Sequence, residues 1–370
     1  MNSSEINQDH LIPVTIEDTV QCLKFFPSDK INYLASGGWD GFLRIFEINY
    51  QIIGQNSTLD KVKIDSSQKF TCHHQSPILS LAWKGDSGAV ITGNVDGSLN
   101  YVDCQKQIYT KIGGHQDGCK EVLYLPNYDL ILSGGWDCMV KLWDLRSNNP
   151  VTSYQFFNKI YSMSFAKNLL VGSLSENVMT YFNLDNIQKG KFQPELIYSS
   201  QIKSHIRKVL VLNEGNCYLE GSAEGRIAVK FVNLYAKPTF TSENDYNIHT
   251  ERDYSFKSHR EVKDKGNEKI VQAYAINDMS VNPVYGSVAS VGGDGKYTIW
   301  DIFEKARINE RENVSDKTPL TACDFNPCGN LLAYSSGYDW CKGAKFAHLY
   351  PRPKIYIHYL QKSHRKSKNY

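Results

Sequence analysis

A short pattern recurs seven times along the chain, and this repetition constrains the fold more than any other feature. In its clearest copy, Ser133–Arg146, a run of small residues leads into a turn at Asp137, and a β-prone run then ends in Trp143-Asp144. One such segment alone would predict a single β-hairpin. The turn position is acidic in every copy, at Asp40, Asp96, Asp137, Glu176, Glu224, Asp294 and Asp339.

The closest spacings between these turns are roughly 40–45 residues, which is the period of WD-repeat propeller blades. We therefore predict an all-β, seven-bladed WD-repeat β-propeller. It would form one closed domain over residues 11–360, although 370 residues would ordinarily suggest about two domains. Strand-forming runs stand at both ends, at Leu11–Ile16 and Lys354–Tyr359. We expect the N-terminal strand to pair into the last blade, because this closes the ring and removes two open edges.

Four segments depart from the repeat. We expect residues 1–10 to form a flexible N-terminus and residues 50–67 a loop insertion. Residues 235–270 should contain a polar, charged insertion, and residues 361–370 form a basic tail. The tail is typical of a solvated terminus, and its alternative is a nuclear-import or RNA-contacting role.

Composition excludes several classes of protein. The formal net charge of +2 is too balanced to indicate a nucleic-acid binder, although it is compatible with a local basic face. The 9 cysteines are scattered without a C-x-x-C pair, which favours a reducing compartment. We find neither a signal-peptide pattern nor an apolar run long enough to span a membrane, and we expect a soluble intracellular protein.

Catalytic and cofactor motifs are also missing. His115, Ser133, Asp137 and Trp143 have the order of the structural network in WD repeats, where His, Ser and indole donors satisfy a buried turn carboxylate. A hydrolase triad is the alternative, but it lacks the G-x-S-x-G elbow. Cys72-His73-His74 could suggest a metal site but has no second ligand pair nearby. We predict no enzymatic activity, no cofactor and no metal.

Several stretches together resemble one family closely, the messenger-RNA export factor of the nuclear pore, itself a seven-bladed WD-repeat propeller. The likeness covers essentially the whole propeller, is strong from about 200 to 345, and is loose over the second blade and both insertions. The matching stretches are Leu219–Val229, Phe256–Arg260, Tyr274–Asn277, Asn282–Lys296 and Leu332–Gly343.

A sister family, the mitotic-checkpoint propeller that escorts checkpoint kinases to kinetochores, shares part of this pattern. It has similar Glu-Gly-Arg and Phe-Lys-x-His-Arg segments, here Glu224–Arg226 and Phe256–Arg260. The Tyr338–Gly343 run, Pro283–Gly286 and the basic tail resemble the export factor instead. The resemblance therefore favours the export factor, with the checkpoint protein as the alternative.

The resemblance implies a non-enzymatic adaptor that binds a short acidic segment, the GLEBS motif, of an FG nucleoporin on its top face. It would link messenger ribonucleoprotein to the nuclear pore and shuttle between nucleus and cytoplasm, as a monomeric propeller within a hetero-complex. RNA through a basic rim, and checkpoint kinases, are further partners to consider; no membrane contact is expected. Position by position, the implied contact residues are Arg226, Phe256, Lys257, His259, Arg260, Trp300, Asp301, Lys305 and Arg307.

Some of these residues have a second interpretation. Trp300 could be the structural tryptophan at the end of a strand, like Trp143, and Lys257 and Arg260 could simply be solvated. The chain also departs from the family at Tyr101-Val102, where a strand-ending Trp is missing, and at Asp137-Cys138. Contacts made by the first two blades therefore cannot be transferred.

Overall fold

The computed structural model describes residues 9–55, 60–147, 149–232, 240–242, 245–246, 252–265, 268–312 and 317–364. Nearly all of the regular structure in these residues is β-strand. The strands are β1 His10–Leu11, β2 Val20–Phe25, β3 Tyr33–Gly38, β4 Phe42–Gln55, β5 Asp60–His73, β6 Ile78–Trp83, β7 Ala89–Asn94, β8 Ser98–Asp103, β9 Ile108–Gly114, β10 Cys119–Leu125, β11 Leu130–Gly135, β12 Met139–Trp143, β13 Pro150–Gln155, β14 Ile160–Ala166, β15 Leu169–Leu174, β16 Val178–Asn183, β17 Leu196–Ser199, β18 Ile206–Val211, β19 Cys217–Ser222, β20 Arg226–Phe231, β21 Phe240–Ser242, β22 Asp245–Tyr246, β23 Tyr254–Lys257, β24 Arg260–Lys265, β25 Glu268–Ala273, β26 Ile276–Val281, β27 Val288–Gly292, β28 Lys296–Asp301, β29 Ala306–Glu312, β30 Leu320–Phe325, β31 Leu331–Ser336 and β32 Lys354–Tyr359. The helices are α1 Asp185–Gln188 and the short 3₁₀ turns η1 Ser175–Asn177, η2 Ala344–Leu349 and η3 Lys362–His364. None of the helices in the described residues is long and apolar enough to cross a membrane.

Seven of the sheets have four antiparallel strands each, and we call them blades 1 to 7. In chain order they are β2–β5, β6–β9, β10–β13, β14–β17, β18-β19-β20-β23, β26–β29 and β30-β31-β32-β1. The first strands, β2, β6, β10, β14, β18, β26 and β30, contact one another in a closed ring around a central channel. This arrangement confirms the predicted seven-bladed propeller.

The ring closes as predicted, by a strand from the N-terminus. β1 pairs antiparallel with β32, with His10 opposite Ile357 and Leu11 opposite Tyr356. Residues 1–8 of the expected flexible terminus lie outside the described residues. Asp9, in contrast, accepts hydrogen bonds from Arg311 (2.8 Å) and Tyr334 (2.6 Å). It therefore fastens the terminus to blades 6 and 7.

The order of strands within a blade defines two faces of the ring. Each blade is an antiparallel meander, so the connections between blades and the turns between second and third strands share one end, the top face. The turns between first and second strands, and between third and fourth, lie at the other end, the bottom face. A residue's face therefore follows directly from its place in the meander.

The core lies between adjacent blades. Leu132 and Val140 of blade 3, for example, pack in one buried cluster with Met163 and Leu170 of blade 4. Around the channel, carboxylates accept backbone N–H groups of the next first strand: Asp278 from Cys323 (3.0 Å) and Asp324 from Phe25 (2.8 Å). Each blade is thus held to its neighbour by apolar burial outside and hydrogen bonds inside.

Residues 50–67 differ from the expected loop, and part of the expected 235–270 insertion belongs to a blade. Residues 50–67, expected as a loop insertion, mostly continue β4 and β5 into a long hairpin, because Tyr50, Val62 and Ile64 pack on the core shared by blades 1 and 7. In the 235–270 region, β23 completes blade 5, and β24 and β25 form a separate two-stranded hairpin. Of the basic tail, residues 365–370 lie outside the described residues.

Candidate functional site: the top face and the channel mouth

The sequence-predicted network of blade 3 comes together at the top face. His115 Nδ1 lies 2.8 Å from Asp137 Oδ1, and its Nε2 lies 2.7 Å from Ser133 Oγ, which also accepts the indole N–H of Trp143 at 2.7 Å. Burial alone would raise the pKa of Asp137, but the hydrogen bond and charge of His115 hold it below its ordinary value. These four side chains link a turn, two strands and the inter-blade connection.

Blade 6 contains the same network, built from residues that the resemblance assigned to a partner. His259 lies 2.9 Å from Asp294 Oδ1 and 2.9 Å from Ser290 Oγ, and Trp300 donates to the same Ser290 Oγ at 2.9 Å. A Cβ on Gly292 would lie only 2.5 Å from His259 Nδ1, so the site requires a glycine. His259 is buried and Trp300 is the strand-ending tryptophan, which gives both residues a structural role in the blade.

Two further predicted contacts are also largely structural. Phe256 is half-buried and packs on Trp300, with ring centroids 4.8 Å apart. Asp301 is buried and accepts the backbone N–H groups of Phe303 and Glu304, which shapes the turn after β28. Both side chains therefore have partners within the propeller itself.

The remaining predicted residues lie on two different faces. Lys305 and Arg307 belong to the turn between β28 and β29 and its exit, so with Asp301 they lie on the bottom face. The six residues of β28 separate them from the top face by about 17 Å. Lys305 sits over the ring of Tyr254, 4.5 Å from its centroid, and Arg307 pairs with Glu310. One short peptide segment on the top face cannot contact both sets directly.

On the top face, Arg226, Lys257 and Arg260 form a cluster that we call the rim. Arg226 begins β20 opposite Lys257, and its guanidinium donates to Ser255 Oγ at 3.1 Å. Arg260 donates to the backbone carbonyl of Glu224 at 3.1 Å, whereas Lys257 is exposed. The rim lies at the outer edge of blade 5, away from the channel.

A second group of residues, missed by the sequence analysis, surrounds the mouth of the central channel. Each first strand has a register shift at its second residue, and a bulge of this kind re-aims one side chain. The seven bulged residues, which we call the mouth ring, are Gln21, Leu79, Lys120, Tyr161, Arg207, Asn277 and Thr321. All except Thr321 line a cavity of about 360 Å³ at the top of the channel.

The mouth ring contains two cations, Lys120 and Arg207. Deeper in the channel, Lys24 pairs with Asp324 at 3.0 Å and Lys208 with Asp278 at 3.1 Å. Among the described residues, Lys120 and Arg207 have no comparable ion pair. Burial lowers the pKa of both groups, because removing an ammonium or guanidinium from water disfavours its charged form.

Tryptophans stand beside these cations. Trp39 and Trp136 come from the top turns of blades 1 and 3 and line the same cavity. The indole nitrogen of Trp136 is buried without a hydrogen-bond partner in the described structure. Trp340, in the top turn of blade 7, is 41% exposed and has a φ of 59°, which is strained for a bulky side chain. The top face therefore carries both an exposed, strained Trp and a buried indole N–H without a partner, and both features are typical of a binding surface.

The described residues hold no group of three or more His, Cys, Asp or Glu side chains placed to share a metal ion. His74, from the sequence Cys72-His73-His74, is buried beside Thr92 and Asn94, and its ring lies 3.3 Å from the Asn94 amide. Its environment is that of a buried polar group within blade 2.

Comparisons with known proteins agree with the architecture. The model of the WD domain, G-beta repeat, matches residues 11–47, 65–103 and 105–144. Among solved structures, the WD40 β-propeller domain of Doa1 superposes with a TM-score of 0.63 over 98% of this chain and 99% of that chain. At 14% sequence identity, that match supports the fold alone.

Relatives found by sequence identify the family of the chain, whereas the structural match identifies only its fold. The chain is 28% identical to the Poly(A)+ RNA export protein of Schizosaccharomyces pombe, over 96% of this chain and 92% of the relative. It is 30% identical to the mRNA export factor of Xenopus tropicalis, over 92% and 86% respectively. It is also 30% identical to the mitotic checkpoint protein bub-3 of Caenorhabditis elegans, over 84% and 81%. The chain therefore belongs to the family of WD-repeat β-propellers that includes these mRNA export factors and the checkpoint protein bub-3.

Proposed function

We propose that the protein is a non-enzymatic adaptor in mRNA export that binds an acidic, GLEBS-type nucleoporin segment on its top face. Relatives named as mRNA export factors, which align with nearly the whole chain, support the export role. The proposal places the protein in the nucleus and at the nuclear pore, where it would link messenger ribonucleoprotein to a nucleoporin.

The observation that carries the proposal is the pair of cations in the mouth ring. Lys120 and Arg207 are partly desolvated and form no salt bridge among the described residues, which is unfavourable for the unbound protein. The charges of Glu121 and Asp339 offset only part of this burial, because the pKa of both cations is still lowered. Carboxylates entering the mouth would supply the missing charge, and Arg207 could bind one of them with two parallel hydrogen bonds. An acidic segment therefore suits this mouth better than a neutral or basic one.

Trp39 and Trp136 would provide apolar anchors at this cavity, and the exposed Trp340 would add a further one on the top face. Tryptophans commonly carry much of the energy of a peptide interface. A segment that leaves the mouth over blade 5 would next meet Arg226 and Lys257. The rim residues thus remain proposed contacts, secondary to the mouth. The predicted RNA contact through a basic rim stays a prediction.

A checkpoint role is the second candidate, and the identity to bub-3 favours it specifically. It would use the same top face for a segment borne by a checkpoint kinase. The two candidates differ in partner and share the binding chemistry.

A calorimetric titration against two peptides distinguishes them: a nucleoporin GLEBS segment and the corresponding segment of a checkpoint kinase. We expect tighter binding of the nucleoporin peptide. Preference for the kinase peptide would reverse the order of the two candidates, and failure of both peptides to bind would refute the shared top-face site.

Charge reversal on opposite faces provides the matched control. Arg207→Glu should weaken binding of the nucleoporin peptide at least 100-fold, because it replaces an attraction by a repulsion in a desolvated mouth. Lys305→Glu makes the same change in charge on the bottom face and should leave affinity within about twofold. Equal losses in both variants would point to long-range electrostatics and would contradict a site at the mouth.

A further inference from the structure

The hairpin of β24 and β25 on the top face lies outside the seven blades. It is a two-stranded sheet of its own, and within the described residues neither of its long edges pairs with another strand. Val262 is 62%, Ile270 45% and Val271 54% exposed. A two-stranded hairpin with exposed apolar side chains is only marginally stable in water, so this hairpin gains most from a partner that covers it.

The base of the hairpin is held firmly beside the mouth ring. The backbone N–H of Tyr274 donates to the carbonyl of His259 at 3.0 Å, and the Tyr274 hydroxyl donates to Glu261 at 3.0 Å. Two residues connect the end of β25 to β26, whose second residue, Asn277, belongs to the mouth ring. β25 is therefore the strand of the hairpin that continues directly into the wall of the channel.

Pairing within the hairpin shows which backbone groups are free. The hydrogen bond from Tyr274 to His259 makes that pair a hydrogen-bonded one, and such pairs alternate along an antiparallel ladder. Arg260 with Ala273 and Val262 with Val271 are then non-hydrogen-bonded pairs. The N–H and C=O groups of Val271 and Ala273 accordingly point outward, along the open edge of β25.

The side chains on one face of the hairpin combine apolar and basic character. Residues two apart along a strand share a face, so Lys269 and Val271 lie together, with Val262 and Arg260 on the neighbouring strand. Asp264 stands opposite Lys269 and Ala273 opposite Arg260 in the same register, so this face also carries one acidic residue. Two valines with a cation at either end suit an extended segment that combines apolar and acidic side chains.

We propose that the partner's acidic segment, where it leaves the channel mouth, adds to the open edge of β25 as a third strand. This inference rests on the proposed function and specifies how the partner is held outside the mouth. Backbone hydrogen bonds from Val271 and Ala273 would supply affinity that is largely independent of sequence. Lys269 and Val271 would select an acidic residue and an apolar residue two positions apart.

Proline substitutions on the two strands of the hairpin provide the test, with the nucleoporin GLEBS peptide as the probe. Val271→Pro removes the outward donor of β25 without removing a hydrogen bond of the hairpin, and proline is tolerated at such edge positions. Val262→Pro does the same to β24. We expect Val271→Pro to weaken peptide binding about tenfold and Val262→Pro to change it less than twofold.

Val271→Ala measures the contribution of the side chain to peptide affinity apart from that of the backbone N–H. It should weaken binding only about threefold. Hydrogen exchange supplies an independent readout: the amides of Val271 and Ala273 should become protected when the peptide binds. Equal affinities of both proline variants, or no added protection at these amides, would overturn strand addition while leaving the mouth site standing. Failure of the unmodified protein to bind the peptide would overturn both proposals.

Discussion

The polar networks of blades 3 and 6 and the mouth ring lie on the same face of the molecule. They differ in whether their polar groups have partners within the chain. In the networks, His115 and His259 each use both ring nitrogens, and every partner is within 2.9 Å. At the mouth, Lys120 and Arg207 have no ion pair among the described residues, and the Trp136 indole N–H has no acceptor there.

This difference distinguishes residues that stabilise the propeller from residues that are available to bind a partner. A buried group that the chain itself satisfies contributes to stability, whereas a buried group left without a partner costs stability and persists where function requires it. His259 and Trp300 belong to the first class although the family resemblance placed them in the second. Lys120 and Arg207 are half-buried and have no ion pair among the described residues, so they come near the second class although the sequence analysis did not single them out.

Removing a network carboxylate should have the largest effect. Asp137→Ala leaves the buried ring of His115 without its Nδ1 partner and removes the carboxylate that accepts the backbone N–H of Gln116. We expect the free energy of unfolding to fall by about 3 kcal/mol, measured by urea denaturation. Asp294→Ala in blade 6 should cause a similar loss.

The folded fraction of either variant should bind the nucleoporin peptide with nearly unchanged affinity. A stable Asp294→Ala protein that no longer binds the peptide would break the comparison, because it would make the blade 6 network part of the site.

Lys120→Met should reveal the opposite behaviour at the mouth. Methionine keeps most of the side-chain volume but removes a partly desolvated charge, so we expect stability to rise by about 1 kcal/mol and peptide affinity to fall about tenfold. Thermal denaturation and calorimetry on the same protein sample would measure both. Lower stability of Lys120→Met would mean that the ammonium is already satisfied within the ring.

The fold could be predicted because the pattern of one blade recurs seven times along the chain. Each acidic turn, with its preceding small residues, specifies one blade, and the repeat therefore predicts the ring and its closure. The long hairpin of β4 and β5 was missed because Tyr50, Val62 and Ile64 are spread among polar residues, and their burial depends on blade 7, which is distant in sequence.

The site was less predictable, for a physical reason. Phe256–Arg260 is contiguous in sequence, yet its side chains divide between core, network and surface, because strand alternation and the inter-blade connection send them in different directions. The mouth ring brings together single residues from seven distant strands. One signal was present: Trp39 and Trp136 precede the turn aspartates, where the blade network does not use a tryptophan.

Acidification offers a finer test of the networks. Burial alone would raise the pKa of Asp137, but the hydrogen bond to His115 holds it below its ordinary value. Burial would likewise raise the pKa of Asp9, but contacts with His358 and Arg311 lower it. Their contribution to stability is therefore complete above about pH 4 and is lost as the pH falls through the lowered native values. Melting temperatures measured from pH 7 to pH 3 should fall less steeply in Asp137→Asn than in the unmodified protein. Parallel curves would show that Asp137 is not linked to this loss.

Substitution of a rim residue should have the smallest effect on peptide binding, and it tests most directly whether the peptide is held at the mouth or at the rim. The guanidinium of Arg226 is already bonded to Ser255 at the outer edge of blade 5, and solvent screens its charge more than that of Arg207. We therefore expect Arg226→Glu to weaken binding of the nucleoporin peptide only about threefold at physiological salt, with the melting temperature nearly unchanged. Raising the salt concentration should shrink this difference but leave most of the Arg207→Glu defect, because the mouth is partly closed to solvent. If Arg226→Glu instead abolishes binding while Arg207→Glu has little effect, the segment is held at the rim, and the unpaired cations of the mouth serve another ligand.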